Sequence, residues 1–435
     1  MDGIKALSEA VFNAEQKFSP PQHSAALAIH TIDFVRPPGE PKREEPVIRC
    51  LDEERLCSWF ASPTEPGAAT LRLARIPRQI DISLEISQAS FLSLLSTMRS
   101  DKCVRYLICR DYDGFHTYGG GGGAAVASSA AGTLTTRFLG TALYGLVWTF
   151  DPSTLTTLAL FLDRRRQTFP DFVDTLRALQ QHLAAGPSLL GFASSLFLMH
   201  EFDAETERWE LKTLRKVEAE TGLGPHPGFR ANEVRDFDIR QLTSWLQAVG
   251  EVGGDMDNRM RHVRAARAVL EVVKSECTDL QELGFHGDDA RERYRDAAAA
   301  LAEATPVMDQ RMATYLEYLA YMSVRAQRLS AVLFAQLTHV NASASIGLAR
   351  SSAQDSSSMK TIAVMTMAFL PATFFAALFA MPSLQWNNQD KVVQDGFWVY
   401  WALTLPTTAM VFLVWLLMHR RERLAKQLSR SKLGK

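Results

Sequence analysis

The sequence predicts an α+β membrane protein. An N-terminal α/β cytosolic domain is followed by a helical hairpin, a long stalk helix and two C-terminal transmembrane helices. Three observations predict this fold class. Strand-like runs alternate with helical stretches in the first part of the chain. A heptad seam runs through residues 308–333, and two uncharged apolar runs lie near the C-terminal end.

The composition excludes several classes of protein. The chain has 435 residues, and its 47 Lys and Arg balance 48 Asp and Glu, whereas a dedicated nucleic-acid binder has a basic excess. The five cysteines form no CxxC pair and have no nearby pair of histidines, so neither a zinc site nor a disulfide scaffold is expected. The first residues contain no apolar stretch typical of a secretory signal.

The N-terminal third is expected to form the cytosolic α/β domain. Residues 1–40 end in a proline-rich stretch and are predicted to be weakly structured. Residues 41–170 contain strand-like runs and one helix near 91–98; the predicted strands are 47–50, 70–74, 104–109, 143–150 and 156–162. The apolar run 138–150 is predicted to be one buried strand. The glycines at 119–123 lack a following Lys-Ser or Lys-Thr and indicate a flexible loop rather than a phosphate site.

Residues 171–306 form a helical cytosolic region in this prediction. Helices are expected within 171–222 and 236–283, with a core helix at 189–199 and a break at 284–287. His200-Glu201 lacks the second histidine of a zinc protease, and Asp255-x-Asp257 lacks the glycine and glutamate of a calcium loop. We therefore expect no enzymatic activity and no bound cofactor.

The stalk helix is predicted over residues 307–360, with Pro306 in its first turn. Apolar residues recur there at alternating spacings of four and three; they are Met308, Met312, Tyr315, Leu319, Met322, Ala326, Leu329 and Leu333. A lone helix cannot bury such a seam, so it needs partners from the same chain or from other copies.

The two apolar runs at 361–381 and 397–418 contain no charged residue, and each is about as long as a membrane is thick. Prolines within them do not oppose this assignment, because spanning helices tolerate proline. The segment 419–435 is basic, whereas the outer loop 382–396 has a single lysine. The positive-inside rule then predicts an integral membrane protein with both termini in the cytosol, in the plasma membrane by default and with an organelle membrane as the alternative.

The region around the first apolar run resembles the CorA family of divalent-cation (magnesium) transporters, and in particular its fungal CorA-like group. The similar residues are Ser357-Ser358-Met359-Lys360-Thr361-Ile362-Ala363-Val364, Phe369-Leu370-Pro371-Ala372-Thr373-Phe374 and Phe379-Ala380-Met381. The resemblance implies a homo-oligomer of five copies in a lipid bilayer. It also implies that divalent cations, with magnesium first, are the transported ions.

One departure from the family pattern concerns its Gly-Met-Asn signature, which reads Ala380-Met381-Pro382 here. In the family the asparagine amide holds a hydrated ion at the pore mouth, whereas proline has neither a side-chain amide nor a backbone N–H. Asn387 or Asn388 in the outer loop is an alternative source of amides.

The resemblance places Met359, Ile362, Leu370 and Thr373 along the pore. The heptad spacing adds Thr366 and Ala380 to that face, and Met381 and Pro382 complete the candidate set. Two functions follow from these residues. The first is transport of divalent cations through a homo-oligomeric pore. The second is a transport-inactive CorA-like subunit with a regulatory or interaction role, suggested by the altered signature.

Overall fold

The computed structural model describes residues 2–19, 29–37, 45–65, 67–79, 81–119, 134–165, 168–223, 237–278, 285, 288–380 and 397–432. The chain divides into two compact units, Met1–Phe334 and Ala335–Lys435. The predicted Gly-rich loop at 120–123, the break at 284 and 286–287, and the outer loop all lie outside the described residues.

A seven-stranded mixed sheet forms the centre of the first unit, with strand order β2-β1-β3-β7-β6-β5-β4. Its strands are β1 (Ile29–Arg36), β2 (Val47–Leu51), β3 (Ala69–Ile76), β4 (Gly114–Tyr118), β5 (Thr136–Gly140), β6 (Tyr144–Asp151) and β7 (Thr156–Asp163). The central strands β3 and β7 are parallel, and every other neighbouring pair is antiparallel. Strands β5, β6 and β7 are buried almost throughout, as expected when helices cover both faces of a sheet.

Four helices cover one face of the sheet. They are α1 (Asp2–Glu15), α2 (Glu53–Ala61), α3 (Gln88–Thr97) and α4 (Val104–Cys109). Their apolar residues share a core with alternate residues of the central strands, so that Val147 and Leu160 pack with Phe12 and Phe91. Phe12 and Phe91 are stacked with ring centroids 6.1 Å apart.

The other face is covered by α5 (Thr168–Leu179), α6 (Pro187–Glu205) and α8 (Ile239–Thr278), and α7 (Lys212–Thr221) packs against α8. A 3₁₀ segment, Gln180–Ala185, precedes α6, and a π-helical segment, Thr206–Leu211, joins α6 to α7. Most of α6 is buried on all sides, which confirms the predicted core helix. A Cβ on Gly191 would lie only 2.9 Å from Val269 and Val273, so a glycine is what allows α6 and α8 to approach this closely.

Four local predictions were wrong. Residues 1–40 contain α1 and β1 rather than weak structure, because the proline-rich end hides the apolar pattern of Ile29, Ile32 and Phe34. Residues 104–109 form a helix instead of a strand: Leu107 is buried and Tyr106 is 38% exposed, which fits helical spacing and not alternation.

The third error concerns the apolar run 138–150, which is a hairpin of two strands. Thr141 makes the turn, since its hydroxyl accepts hydrogen bonds from the backbone amides of Leu143 and Tyr144 at 3.2 and 3.1 Å. A single threonine hydroxyl between two apolar stretches is a weak turn signal.

The stalk helix, α9 (Asp288–Phe379), begins well before Pro306, so the predicted start was also wrong. The heptad seam, by contrast, is confirmed: all eight of its residues are buried, and Met312, Leu319, Met322 and Leu333 are fully covered. The seam is buried within the chain itself. Polar contacts accompany it, including Arg325 to Glu218 at 2.6 Å and Arg267 to Asp309 at 2.6 Å.

In the second unit, α9 continues from Ala335 and is joined by α10 (Phe397–Lys432). Every residue of 341–360 is exposed. Two helices are long and apolar enough to cross a membrane: α9, within Asp288–Phe379, and the Trp398–Leu417 part of α10, with mean hydropathies of 2.1 and 1.6. Only 6% of each window is buried, unlike the core helix of a soluble protein.

Candidate functional site

The candidate site lies on the apolar part of α9. Six of the eight predicted pore residues fall within the described part of this helix; they are Met359, Ile362, Thr366, Leu370, Thr373 and Ala380. Met381 and Pro382 lie outside the described residues, as do Asn387 and Asn388.

One face of α9 packs against α10. The Tyr400 hydroxyl, near the start of α10, donates a hydrogen bond to the backbone carbonyl of Ala372 at 3.2 Å. The ring of Tyr400 also lies edge-on to Phe379, with centroids 6.3 Å apart. Pro371 on α9 and Thr404 on α10 are buried between the two helices. The two helices therefore form an antiparallel hairpin.

The six described candidates lie on the opposite face of α9. At about 100° per residue they fall within an arc of about 80°, roughly opposite Pro371. All six are exposed, with Met359, Ile362 and Leu370 exposed by 71, 65 and 64%. By this helical period the six residues share one exposed stripe, which we call the α9 stripe; the apolar residues Met365, Phe369 and Phe374 outside its arc are exposed as well.

Two threonines place oxygen atoms on the otherwise apolar α9 stripe. The Thr366 hydroxyl donates to the Ile362 carbonyl at 2.8 Å, and the Thr373 hydroxyl donates to the Phe369 carbonyl at 3.0 Å. Each hydroxyl hydrogen is therefore used within the helix, and the oxygen lone pairs remain available. Such oxygens can accept hydrogen bonds from water or from the water shell of a cation.

Asp355 also lies on this face, although it belongs to none of the motifs that indicated the other residues. It lies four residues before Met359, is exposed, and falls within the same arc of the helix. A helical projection of the sequence would have found it, because no proline separates it from the predicted positions. It places a carboxylate next to the apolar part of the α9 stripe.

The first unit contains a second candidate site, in a pocket beside the π-helical segment. Glu205 and Glu210 are five residues apart, yet both accept hydrogen bonds from the buried guanidinium of Arg259, at 3.2 and 2.6 Å. In a regular α-helix this spacing points the two side chains in different directions, whereas the i to i+5 bonding of a π-helix brings them closer together. The 3.6-residue period of a regular α-helix therefore does not predict this site.

Together these features define a protein with a mixed-sheet α/β unit and a hairpin of two membrane-length apolar helices. No family model matches the chain. A stretch of 64 residues is 36% identical to the Notoamide biosynthesis cluster protein M' of Aspergillus versicolor. This stretch is 14% of the chain and 14% of that protein, so the match spans only a small part of either.

The chain is also similar to a solved structure, that of the full-length CmaX protein. The TM-score is 0.42 with 13% sequence identity, and the match covers 92% of this chain and 100% of the other.

Proposed function

We propose that the chain is a subunit of a homo-oligomeric membrane channel or transporter for divalent metal cations, magnesium being the first candidate. The α9 stripe is the observation that carries this proposal. An uncovered face that combines apolar side chains, threonine oxygens and a flanking carboxylate suits a water-filled path better than lipid alone.

The chemistry of the α9 stripe fits a hydrated cation. Magnesium prefers oxygen ligands and gives up its water reluctantly, so threonine lone pairs can act on the hydrated ion without stripping it. Met359, Ile362 and Leu370 would form apolar constrictions, which gate by excluding water. Asp355 would raise the local concentration of cations beside the narrow part.

The proposal requires several copies, since one helix cannot enclose a path. The exposed segment 341–360 and the α9 stripe are the surfaces that neighbouring copies would cover, and the family resemblance suggests five of them. In this arrangement the first unit lies in the cytosol, in agreement with the basic segment at 419–435.

The test is a flux assay on the full-length protein in liposomes that contain a magnesium-sensitive dye. We expect magnesium entry, and we expect Thr373→Val to lower it about tenfold, equivalent to ~1.4 kcal/mol in the barrier. Thr407→Val is the matched control, because Thr407 makes the same hydroxyl-to-carbonyl bond but lies on α10. Protein that passes no magnesium, cobalt, nickel or zinc would overturn the proposal.

The second candidate is a transport-inactive regulatory or interaction subunit, favoured by Pro382 at the position of the family's asparagine. The variant Pro382→Asn separates the two. Flux that appears only in this variant supports the inactive subunit, whereas flux in the unmodified protein refutes it.

A further inference from the structure

The pocket in the first unit has the size of a small-molecule site, with a lining that is mostly polar. It has a volume of about 420 Å³, within the usual range for ligand pockets. It is enclosed by the β5–β6 turn, the end of α6, the π-helical segment and α8. Besides the two glutamates described above, its lining includes Leu143, Phe202, Trp209, Asp255, Arg259 and His262.

The floor of the pocket is a balanced ionic network. Arg259 is buried and donates to both carboxylate oxygens of Glu210, at 2.6 and 3.1 Å, and to Glu205. Glu205 also pairs with Arg165. The Thr206 hydroxyl donates to the Phe202 carbonyl at 2.7 Å, so it accepts from Arg259 and from the Tyr315 hydroxyl. Two guanidinium groups thus neutralise two carboxylates, and this floor has no spare charge for a ligand.

His262 is the unsatisfied polar group of the pocket. Its side chain is 1% exposed, and neither ring nitrogen has a hydrogen-bond partner within the described part of the chain. Burial lowers its pKa to about 4, so the ring is neutral at physiological pH and offers one donor and one acceptor. Because unpaired buried polar atoms destabilise a protein, this ring points to a ligand that carries a hydroxyl or amine.

The rim of the pocket carries a surplus negative charge and an exposed indole. Asp255 is exposed and forms no ion pair with any residue that the structure describes. Its charge helps to raise the pKa of the buried Glu210, although the main cause is burial. Trp209, one residue before Glu210, is 62% exposed. Asp255 and Trp209 both line the pocket. A carboxylate attracts an organic cation by its charge, and the face of an indole attracts it as well.

We propose that this pocket binds a small hydroxylated organic amine. Its ammonium group would pair with Asp255 against the face of Trp209, its apolar body would contact Leu143 and Phe202, and its hydroxyl would reach His262. An anion would meet an acidic rim and a neutral imidazole. No cluster of three or more His, Cys, Asp or Glu suited to a metal ion occurs among the described residues. Binding of such an amine would not depend on transport along the α9 stripe.

The experiment uses full-length protein in detergent and three probes that differ by one group. Tyramine carries the ammonium and the hydroxyl, phenethylamine lacks the hydroxyl, and 4-hydroxyphenylacetate has a carboxylate in place of the aminomethyl group. We expect calorimetry to detect tyramine binding, with phenethylamine about tenfold weaker and 4-hydroxyphenylacetate not binding. Equal binding of tyramine and 4-hydroxyphenylacetate, or no binding of tyramine, would overturn the proposal.

Two exposed carboxylates provide a matched pair of variants. Asp255→Asn should weaken tyramine binding about tenfold, because it removes the charge that faces the ammonium. Asp257→Asn is the control: Asp257 lies on the same helix but accepts a hydrogen bond from Ser323 at 3.0 Å and does not line the pocket. An equal loss of affinity in both variants, or in neither, would contradict the assigned role of Asp255.

Discussion

Removing Arg259 would leave Glu205 and Glu210 facing each other in a buried pocket. Glu210 is 5% exposed, and both of its carboxylate oxygens depend on this one guanidinium. Loss of one partner of a buried ion pair typically costs about 3–5 kcal/mol. Burial already raises the pKa of Glu210, so this carboxyl can take up a proton in Arg259→Met and hold the cost near the lower figure, ~3 kcal/mol.

The assay is thermal unfolding of the full-length protein, followed for Arg259→Met, Glu210→Gln and the double variant. At about 2.1 cal/mol/K of unfolding entropy per residue, ~3 kcal/mol corresponds to a fall in Tm of about 4 °C for a unit that ends at Phe334. Glu210→Gln should cost less, because Arg259 keeps its contact with Glu205.

The double variant tests whether Arg259 and Glu210 stabilise the first unit as a pair. With the guanidinium and one carboxylate both removed, we expect it to be clearly more stable than the sum of the single effects predicts. If the loss of stability in the double variant equals the sum of the two single losses to within about 0.5 kcal/mol, Arg259 and Glu210 have no coupling energy. The buried network then does not stabilise the first unit as proposed.

Three further predictions concern the first unit. Leu319→Ala should lower the free energy of unfolding by about 3 kcal/mol, since it opens a cavity in the buried seam, whereas Tyr321→Ala on the exposed face should change it little; thermal unfolding of both variants checks this. Gly186→Ala should reduce Tm and yield, because a Cβ there would lie 2.6 Å from the Phe150 ring at a φ of +54°; an unchanged Tm would refute the packing. The unfolded chain protonates His262 near pH 6.5, but the folded protein does so only near pH 4, so stability should fall as the pH drops between these values; His262→Phe should remove this part of the pH dependence of Tm.

Much of the architecture follows from simple periodicities. The seam of α9 has a strict four-three spacing, and each of its residues is buried as that spacing predicts. The two apolar runs near the C-terminal end were recognisable because they are long and uncharged. Short elements were harder to assign. In 104–109 the residues Val104, Tyr106 and Ile108, which favour strands, alternate with others. The segment is nevertheless a helix, because tertiary packing buries Leu107 together with Val104 and Ile108.

Sequence periodicity predicts one of the two candidate sites and not the other. The α9 stripe follows from the helical period, although the function of its residues remains a proposal. The pocket beside the π-helical segment could not be predicted in the same way. Its two carboxylates come together only because the helix departs locally from its normal period, and Arg259 reaches them from a distant part of the chain.

The closed seam of α9 has a thermodynamic consequence. Because the residues that stabilise the first unit are covered by the same polypeptide, dilution of the protein removes none of their contacts. The melting temperature of this unit should then be independent of protein concentration, whether or not the apolar helices of the proposed homo-oligomer dissociate. Folding and assembly would then be separate events, and either could be altered by mutation without disturbing the other.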